Sequence, residues 1–278
     1  MSKVEIAYLG PAGTYSHLVA MKRFGRKAYF VPFPSITEVC NHVARHPSSP
    51  GIVPIENSSG GAIHETVDIL ITHNPKVHIV EELSLAVRLA LLGRRGERIK
   101  TLYSHFAPLE HCSHWIGRNL PRVVKQSVAS TAVAAQRVVA EPSSAALGSR
   151  NLASIYGLDV LRYPVQADIP NLTIFLCIAA RPAEPKSGPH RKISLVAHLP
   201  NKPGSLCSFL ETFRNESVNL SRLISRPIRG SPREYAFLVD VEGSPTQPNV
   251  GRAMSAARST CVSLRTAGCF VCRAPYKS

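Results

Sequence analysis

Lys3-Val4-Glu5-Ile6-Ala7-Tyr8-Leu9-Gly10-Pro11-Ala12-Gly13-Thr14 is the stretch that sets the fold class. Val4, Ile6 and Tyr8 alternate with Glu5 as a half-buried strand does, and Gly10-Pro11-Ala12-Gly13 is a turn. Residues 14–24 then carry a helical pattern, with Gly25 as its stop. The same order of strand, polar turn and helix recurs downstream. Residues 51–55 read as a short buried strand, followed by the polar turn Glu56-Asn57-Ser58-Ser59-Gly60-Gly61 and a helix over 65–71. A strand over 100–103 leads into Ser104-His105, and one over 123–126 leads into Ser130-Thr131, which caps the alanine-rich segment 132–140. Ser35-Ile36-Thr37-Glu38 is a capping box, after which Ile36, Val39, Cys40 and Val43 share one helix face. This alternation predicts α/β layers with parallel strands, whose ligand sites lie beyond the strands' carboxyl ends, where every one of these polar turns falls.

Farther along, residues 181–191 hold Pro182, Pro185, Gly188 and Pro189 with little apolar content, the composition of a linker. The expected division is therefore a first unit over 1–180, a linker over 181–192 and a second unit over 193–274. In the second unit, strands over 193–199, 219–225, 234–241 and 262–271 and helices over 203–213 and 249–257 give the order βαββαβ, that of a ferredoxin-like module.

With 44% hydrophobic and 18% charged residues among 278, the chain can bury a real core and lacks the composition of a disordered protein. The formal charge of +15 attracts anionic partners. Its basic residues are scattered in short clusters such as Lys22-Arg23 and Arg94-Arg95, without an aromatic-basic recognition module. A small anionic substrate accounts for that charge as well as a nucleic acid does, and no nucleic-acid partner is expected. The uncharged run over 172–180 falls short of the roughly 20 residues that span a bilayer. With no signal-peptide pattern at the start, a cytoplasmic protein without membrane contact is expected. The seven cysteines read as reduced thiols. Cys269-Phe270-Val271-Cys272 has neither a second pair nor a histidine partner, so strand cysteines rather than a metal site are expected.

Several polar residues stand out from this pattern. The helix starts at Thr14, with Ser16 in the first turn, and at Ser130-Thr131 could offer backbone N–H groups and hydroxyls to a carboxylate. Glu56, Asn57 and Ser58 place a carboxylate, an amide and a hydroxyl directly after apolar Ile52, Val53 and Ile55. In Asn171-Leu172-Thr173-Ile174-Phe175, Thr173 is a hydroxyl within an otherwise apolar strand and needs a partner or a task. Singly, each is also an ordinary turn or cap residue; the combination carries the reading.

Taken in order, the segments resemble the prephenate dehydratase family. The matches are the run from Tyr8 to His17 (Tyr-Leu-Gly-Pro-Ala-Gly-Thr-Tyr-Ser-His), Val53-Pro54-Ile55-Glu56-Asn57-Ser58 through Glu65-Thr66-Val67-Asp68, Tyr103-Ser104-His105, Ser130-Thr131-Ala132 and Asn171-Leu172-Thr173-Ile174-Phe175. After the linker, Asn201-Lys202-Pro203-Gly204-Ser205-Leu206 and Ser225-Arg226-Pro227 resemble the two signature stretches of the family's regulatory ACT domain. The resemblance implies a two-lobed, periplasmic-binding-protein-like catalytic domain with a C-terminal ferredoxin-like ACT domain. It implies conversion of prephenate to phenylpyruvate, water and carbon dioxide without a cofactor. Thr173 would be the proton donor, Glu56 and Asn57 would orient the substrate, and Thr14, Ser16, Ser58, Ser104, His105, Ser130, Thr131, Asn171 and Phe175 would bind it. Pro203, Gly204, Ser205, Leu206, Ser225, Arg226 and Pro227 would form the regulatory site, with phenylalanine as the effector, and a homo-oligomer is expected.

Three positions depart from the family's motifs. Ile174 stands where the family has arginine, Ala107 where it has glutamine, and Ile224 where it has an acidic residue before Ser-Arg-Pro. An alkyl chain cannot do what a guanidinium does for anionic groups. Arogenate dehydration, a non-aromatising decarboxylation of prephenate, and a catalytically inactive ligand-binding regulator are therefore alternatives to prephenate dehydration.

Overall fold

A computed structural model of the chain describes residues 3–58, 60–72, 76–165, 170–184, 189–228, 230–231 and 233–278; Ser59 and residues 185–188 of the expected linker lie outside the described residues. The elements run β1 (Val4–Leu9), α1 (Tyr15–Phe24), β2 (Ala28–Phe33), α2 (Ile36–Arg45), β3 (Gly51–Asn57), β4 (Gly61–Ala62), α3 (His64–Ile71), β5 (His78–Ala86), β6 (Leu89–Gly93) and β7 (Thr101–Ser104). They continue with α4 (Phe106–His111), α5 (Ser113–Asn119), β8 (Val124–Ser127), α6 (Thr131–Ala140), β9 (Ser144–Gly148), α7 (Leu152–Tyr156), β10 (Asp159–Val165) and β11 (Leu172–Ala179). The last part is β12 (Arg191–His198), α8 (Ser205–Asn215), β13 (Leu220–Pro227), β14 (Tyr235–Glu242), α9 (Pro248–Thr260), β15 (Ser263–Cys272) and β16 (Tyr276–Lys277), so the predicted βαββαβ order is present from β12 to β15.

Two sheets form two lobes. The larger has the strand order β13-β14-β12-β15-β5-β11-β3-β1-β2, with β4 on β3 and β16 on β5; the smaller is β10-β6-β9-β7-β8. Strands β1, β2 and β3 are parallel, as are β7, β8 and β9, in line with the alternating sequence pattern. The sheets are nevertheless mixed. β11 runs antiparallel to β3 and β5, and β6 antiparallel to β9 and β10, because the chain crosses between the lobes and returns. The two crossings meet where Val87 N–H donates to Asn171 C=O at 2.8 Å.

The predicted helix starts are formed as read. Ser35 accepts from Glu38 N–H at 3.2 Å and Ser130 from Val133 N–H at 3.1 Å, while Ile36, Val39, Cys40 and Val43 are buried. β15 lies parallel to β5, so the module after the linker extends the first lobe's sheet instead of standing apart from it. One face of the module packs its own helices around Phe209, Phe213 and Val239; the other joins Val196, Leu238 and Phe270 to Val53, Ile55 and Leu176 of the first lobe. Cys269 and Cys272 belong to those opposite faces of β15. No helix among the described residues is long and apolar enough to cross a membrane.

Candidate active site

β3 continues two residues past its predicted end at Ile55, which makes Glu56 and Asn57 strand residues rather than a turn. The ladder from β3 to β11 shifts by one residue between Ile174 and Phe175: Phe175 opposes Pro54, but Ile174 opposes Glu56 and Thr173 opposes Asn57. Such a bulge leaves two successive residues on one face and re-aims the side chains beyond it. Ile55 and Glu56 therefore share the face turned to the C-terminal module, and Asn57 turns to the other face with Thr173.

On that second face the lobes meet. Asn57 Nδ2 donates to Thr173 Oγ1 and to Asn171 Oδ1, each at 2.8 Å, and Asn57 Oδ1 accepts from Gly60 N–H at 3.0 Å. Asn171 Nδ2 lies 3.1 Å from Nδ1 of His111, which comes from the second lobe. Ser58 ties the same segments together, its Oγ donating to Pro170 C=O at 3.1 Å and accepting from Leu172 N–H at 2.9 Å. Thr173 is 9% exposed, and because its oxygen accepts from Asn57, its O–H proton is available for another acceptor.

The starts of α1 and α6 both approach Leu152 of the second lobe. Thr14 donates to Leu9 C=O at 2.9 Å and caps α1 by accepting from His17 N–H, so its hydroxyl is engaged and the first-turn N–H groups are what it can offer. Ser16 is buried on the same turn. Gly13 (φ +90°) abuts Leu152 of the second lobe so closely that a Cβ would overlap it, and Tyr156 Oη donates to Ala12 C=O at 3.2 Å. Thr131, at the start of α6, sits against Gly148, where a Cβ would lie 3.2 Å from its own. His17 accepts from Gly13 N–H through Nδ1 at 3.0 Å and stacks on Tyr8; burial lowers its pKa, as it does that of His105. Burial, with the charge of Tyr156 second, pushes the Tyr8 phenol up to about 12.

Several expected site residues are placed elsewhere. Glu56, expected to orient substrate, faces away from Thr173 and bonds Arg222 Nε at 3.0 Å, a contact with the C-terminal module. Phe175, expected to bind substrate, is 1% exposed and packs in the core of β11. Ser104 is fully buried, its Oγ spent on Leu147 C=O at 2.8 Å across β7 and β9. His105 precedes α4 and packs against Phe106; none of the described hydrogen bonds joins it to Asn57, Asn171 or Thr173. Arg226 is held by Asp68 of α3 in a two-pronged pair at 2.6 and 2.9 Å. Ser225 and Pro227 alternate with it on the exposed side of β13, while Pro203, Gly204, Ser205 and Leu206 form the start of α8, with Gly204 at φ +83°. Ile174 and Ile224, two of the departures from the family motifs, pack against one and the same apolar cluster on the module face. His111 and Arg222 are the contributors that the sequence did not single out. Nothing local marks them, since their partners lie 60 and 166 residues away.

Comparison with known proteins agrees with this architecture. The family model described as prephenate dehydratase matches residues 6–183. A bifunctional chorismate mutase/prephenate dehydratase of Stutzerimonas stutzeri is 32% identical over 270 residues, covering 96% of this chain and 73% of that protein. Arogenate dehydratase/prephenate dehydratase 1 of Arabidopsis thaliana is 33% identical over 288 residues, covering 97% and 72%. Among solved structures, prephenate dehydratase from Arthrobacter aurescens in complex with L-Phe superposes with a TM-score of 0.88 at 27% identity, covering 96% of this chain and 90% of that one. On the extent of the family match, the identity to these relatives and the shared two-sheet fold, the chain belongs to the prephenate dehydratase family.

Proposed function

We propose that the chain is a prephenate dehydratase. The observation that carries this is the Thr173 hydroxyl, nine-tenths buried, whose oxygen is held by Asn57 and whose proton is left to give. Prephenate loses its ring carboxylate as carbon dioxide, the electrons of that bond enter the ring, and the ring C–O bond breaks. The departing oxygen takes up a proton and leaves as water, with phenylpyruvate as the aromatic product. Thr173, itself nine-tenths buried, would donate its hydrogen bond to that oxygen as charge develops. Free backbone N–H groups at the starts of α1 and α6 would receive the two carboxylates.

The division at 181–192 and the ACT reading of the module beyond it are part of the same proposal, supported by the βαββαβ order of that module. Phenylalanine is the proposed effector, with the exposed start of α8 and the outer side of β13 as its candidate contacts. β13 is also an edge of the larger sheet, with Leu223 44% exposed, which supports a homo-oligomer paired through that strand. A monomer in sedimentation velocity at working concentration would contradict the pairing.

Product analysis by mass spectrometry and NMR after incubation with prephenate tests the activity, with phenylpyruvate expected. A hydroxylated non-aromatic keto acid would move the protein to the decarboxylases. Turnover of arogenate alone would move it to the arogenate dehydratases, and binding without product would make it a regulator.

A further inference from the structure

Arg222 of β13 is the centre of the most deeply buried charge cluster in the described chain, its side chain 5% exposed. Its guanidinium meets Asp240, which is fully buried and also accepts from Ser194, and Glu82, which Lys192 holds at 2.8 Å. Burial alone would push the Glu82 carboxyl up, but the Lys192 hydrogen bond and the charges of Lys192 and Arg222 hold it below the ordinary range. These partners fix the guanidinium. Its remaining nitrogen, Nε, reaches 3.0 Å across to Glu56.

Glu56 stands just beyond the β3 bulge, where β3 is still paired with β11 and β4 over its last two residues, and it immediately precedes Asn57. A bulge disrupts the ladder locally and re-aims the side chains beyond it, so side-chain bonds on the two faces add to the backbone pairing in setting the geometry there. Asn57 supplies one through Thr173 and Asn171, and Glu56 the other through Arg222. β13 in turn is tied to the first lobe at its far end by Arg226 and Asp68. We infer that Arg222 is a positioning residue: through Glu56 it sets the end of β3 so that Asn57 holds the Thr173 hydroxyl in working geometry, making the C-terminal module part of the catalytic scaffold. The inference rests on the proposed role of Thr173. A displacement of about 1 Å at such a position can cost up to about a hundredfold in rate.

Removing Arg222 itself would strand Asp240, so the informative variant is Glu56→Gln, an isosteric change at a side chain 37% exposed that leaves Arg222 with its other partners. Two quantities are measured: kcat and KM for prephenate, and amide hydrogen exchange in peptides covering residues 52–58 and 171–176. The expected result is a kcat lowered about tenfold with KM within twofold, together with exchange about tenfold faster in those two segments only. Arg222→Lys, which keeps the charge but loses the fork, should move both readouts in the same direction, and the double variant should add little to Glu56→Gln. Unchanged exchange in Glu56→Gln overturns the inference whatever the rates do, and faster exchange with unchanged kcat overturns it as well. Should the wild-type chain fail to turn over prephenate, the catalytic reading falls by itself, and exchange alone decides whether Arg222 holds Asn57.

Discussion

The two faces of β3, β5 and β11 are built from adjacent residues yet perform opposite tasks. Asn57 and Thr173 turn toward the junction of the lobes, with Glu81 farther along the same face in ion pairs with Arg23 and Arg273; Glu56, Glu82 and Ile174 turn toward the C-terminal module. At that junction polar groups are held but kept competent, as when Thr173 accepts a hydrogen bond and retains its own proton. On the second face, charges are consumed: Arg222, Lys192, Glu56, Glu82 and Asp240 satisfy one another. The difference teaches that polarity in a buried strand says little until its face is known. A site needs one bond left open, whereas a structural cluster needs all of them closed.

The comparison can be broken most sharply at Thr173. Thr173→Ala should lower kcat by about 10² to 10⁴ while leaving the thermal unfolding curve nearly unmoved, because it removes a hydrogen-bond donor from the reaction and only one accepted bond from the fold. On the other face, Arg222→Met should act on the fold first, costing about 3–5 kcal/mol of stability by leaving buried carboxylates uncompensated, measured by denaturant unfolding, with turnover falling as well because the Glu56 anchor is lost. Acid should act on both faces. Glu81, buried but bonded by Arg23 and Arg273, and Glu82 both have folded pKa values below the ordinary 4.5. Their contribution to stability is complete above that value and is lost as pH falls through the lowered folded pKa. The melting temperature should therefore drop below pH 4.5, and Glu81→Gln should flatten that limb. The smallest effect belongs to Ile174→Val, about 0.5–1.5 kcal/mol with kcat within twofold, since Ile174 packs on the module face and does not reach Thr173. A large loss of turnover in that variant would erase the distinction between the faces.

Much of this architecture is legible in the residues alone. The Thr14, Ser35 and Ser130 caps, the buried stripe of α2 and the βαββαβ order come from local chemistry and periodicity, and all are present. So is the need of Asn57 and Thr173 for partners in apolar surroundings, which they meet in each other and in Asn171. Glu56 escapes such reading for a physical reason. Alternation along β3 from Ile52 and Pro54 puts Glu56 on the lobe-junction face, and the bulge, set by pairing with a strand more than a hundred residues away, reverses that assignment. The depth of Phe175 is hidden in the same way: it shares a face with Thr173, but one step deeper along β11 that face is already core. The antiparallel return of β11 and β5 and the reach of His111 depend on how distant segments cross, which no local pattern encodes.

The pairing of β15 and β16 along β5 has a consequence for how the chain can be divided. β5 is nine residues long, with Ile79, Leu83 and Leu85 buried, and its outer backbone groups are covered by strands from the last part of the sequence. A chain cut at residue 180 would bare that edge, long and apolar, to any other strand in solution. Sticky aggregates, rather than an independently active catalytic fragment, are the expected fate of such a truncation. On this view the C-terminal segment also serves the first lobe as an intramolecular chaperone, capping an adhesive border that the lobe cannot shield for itself.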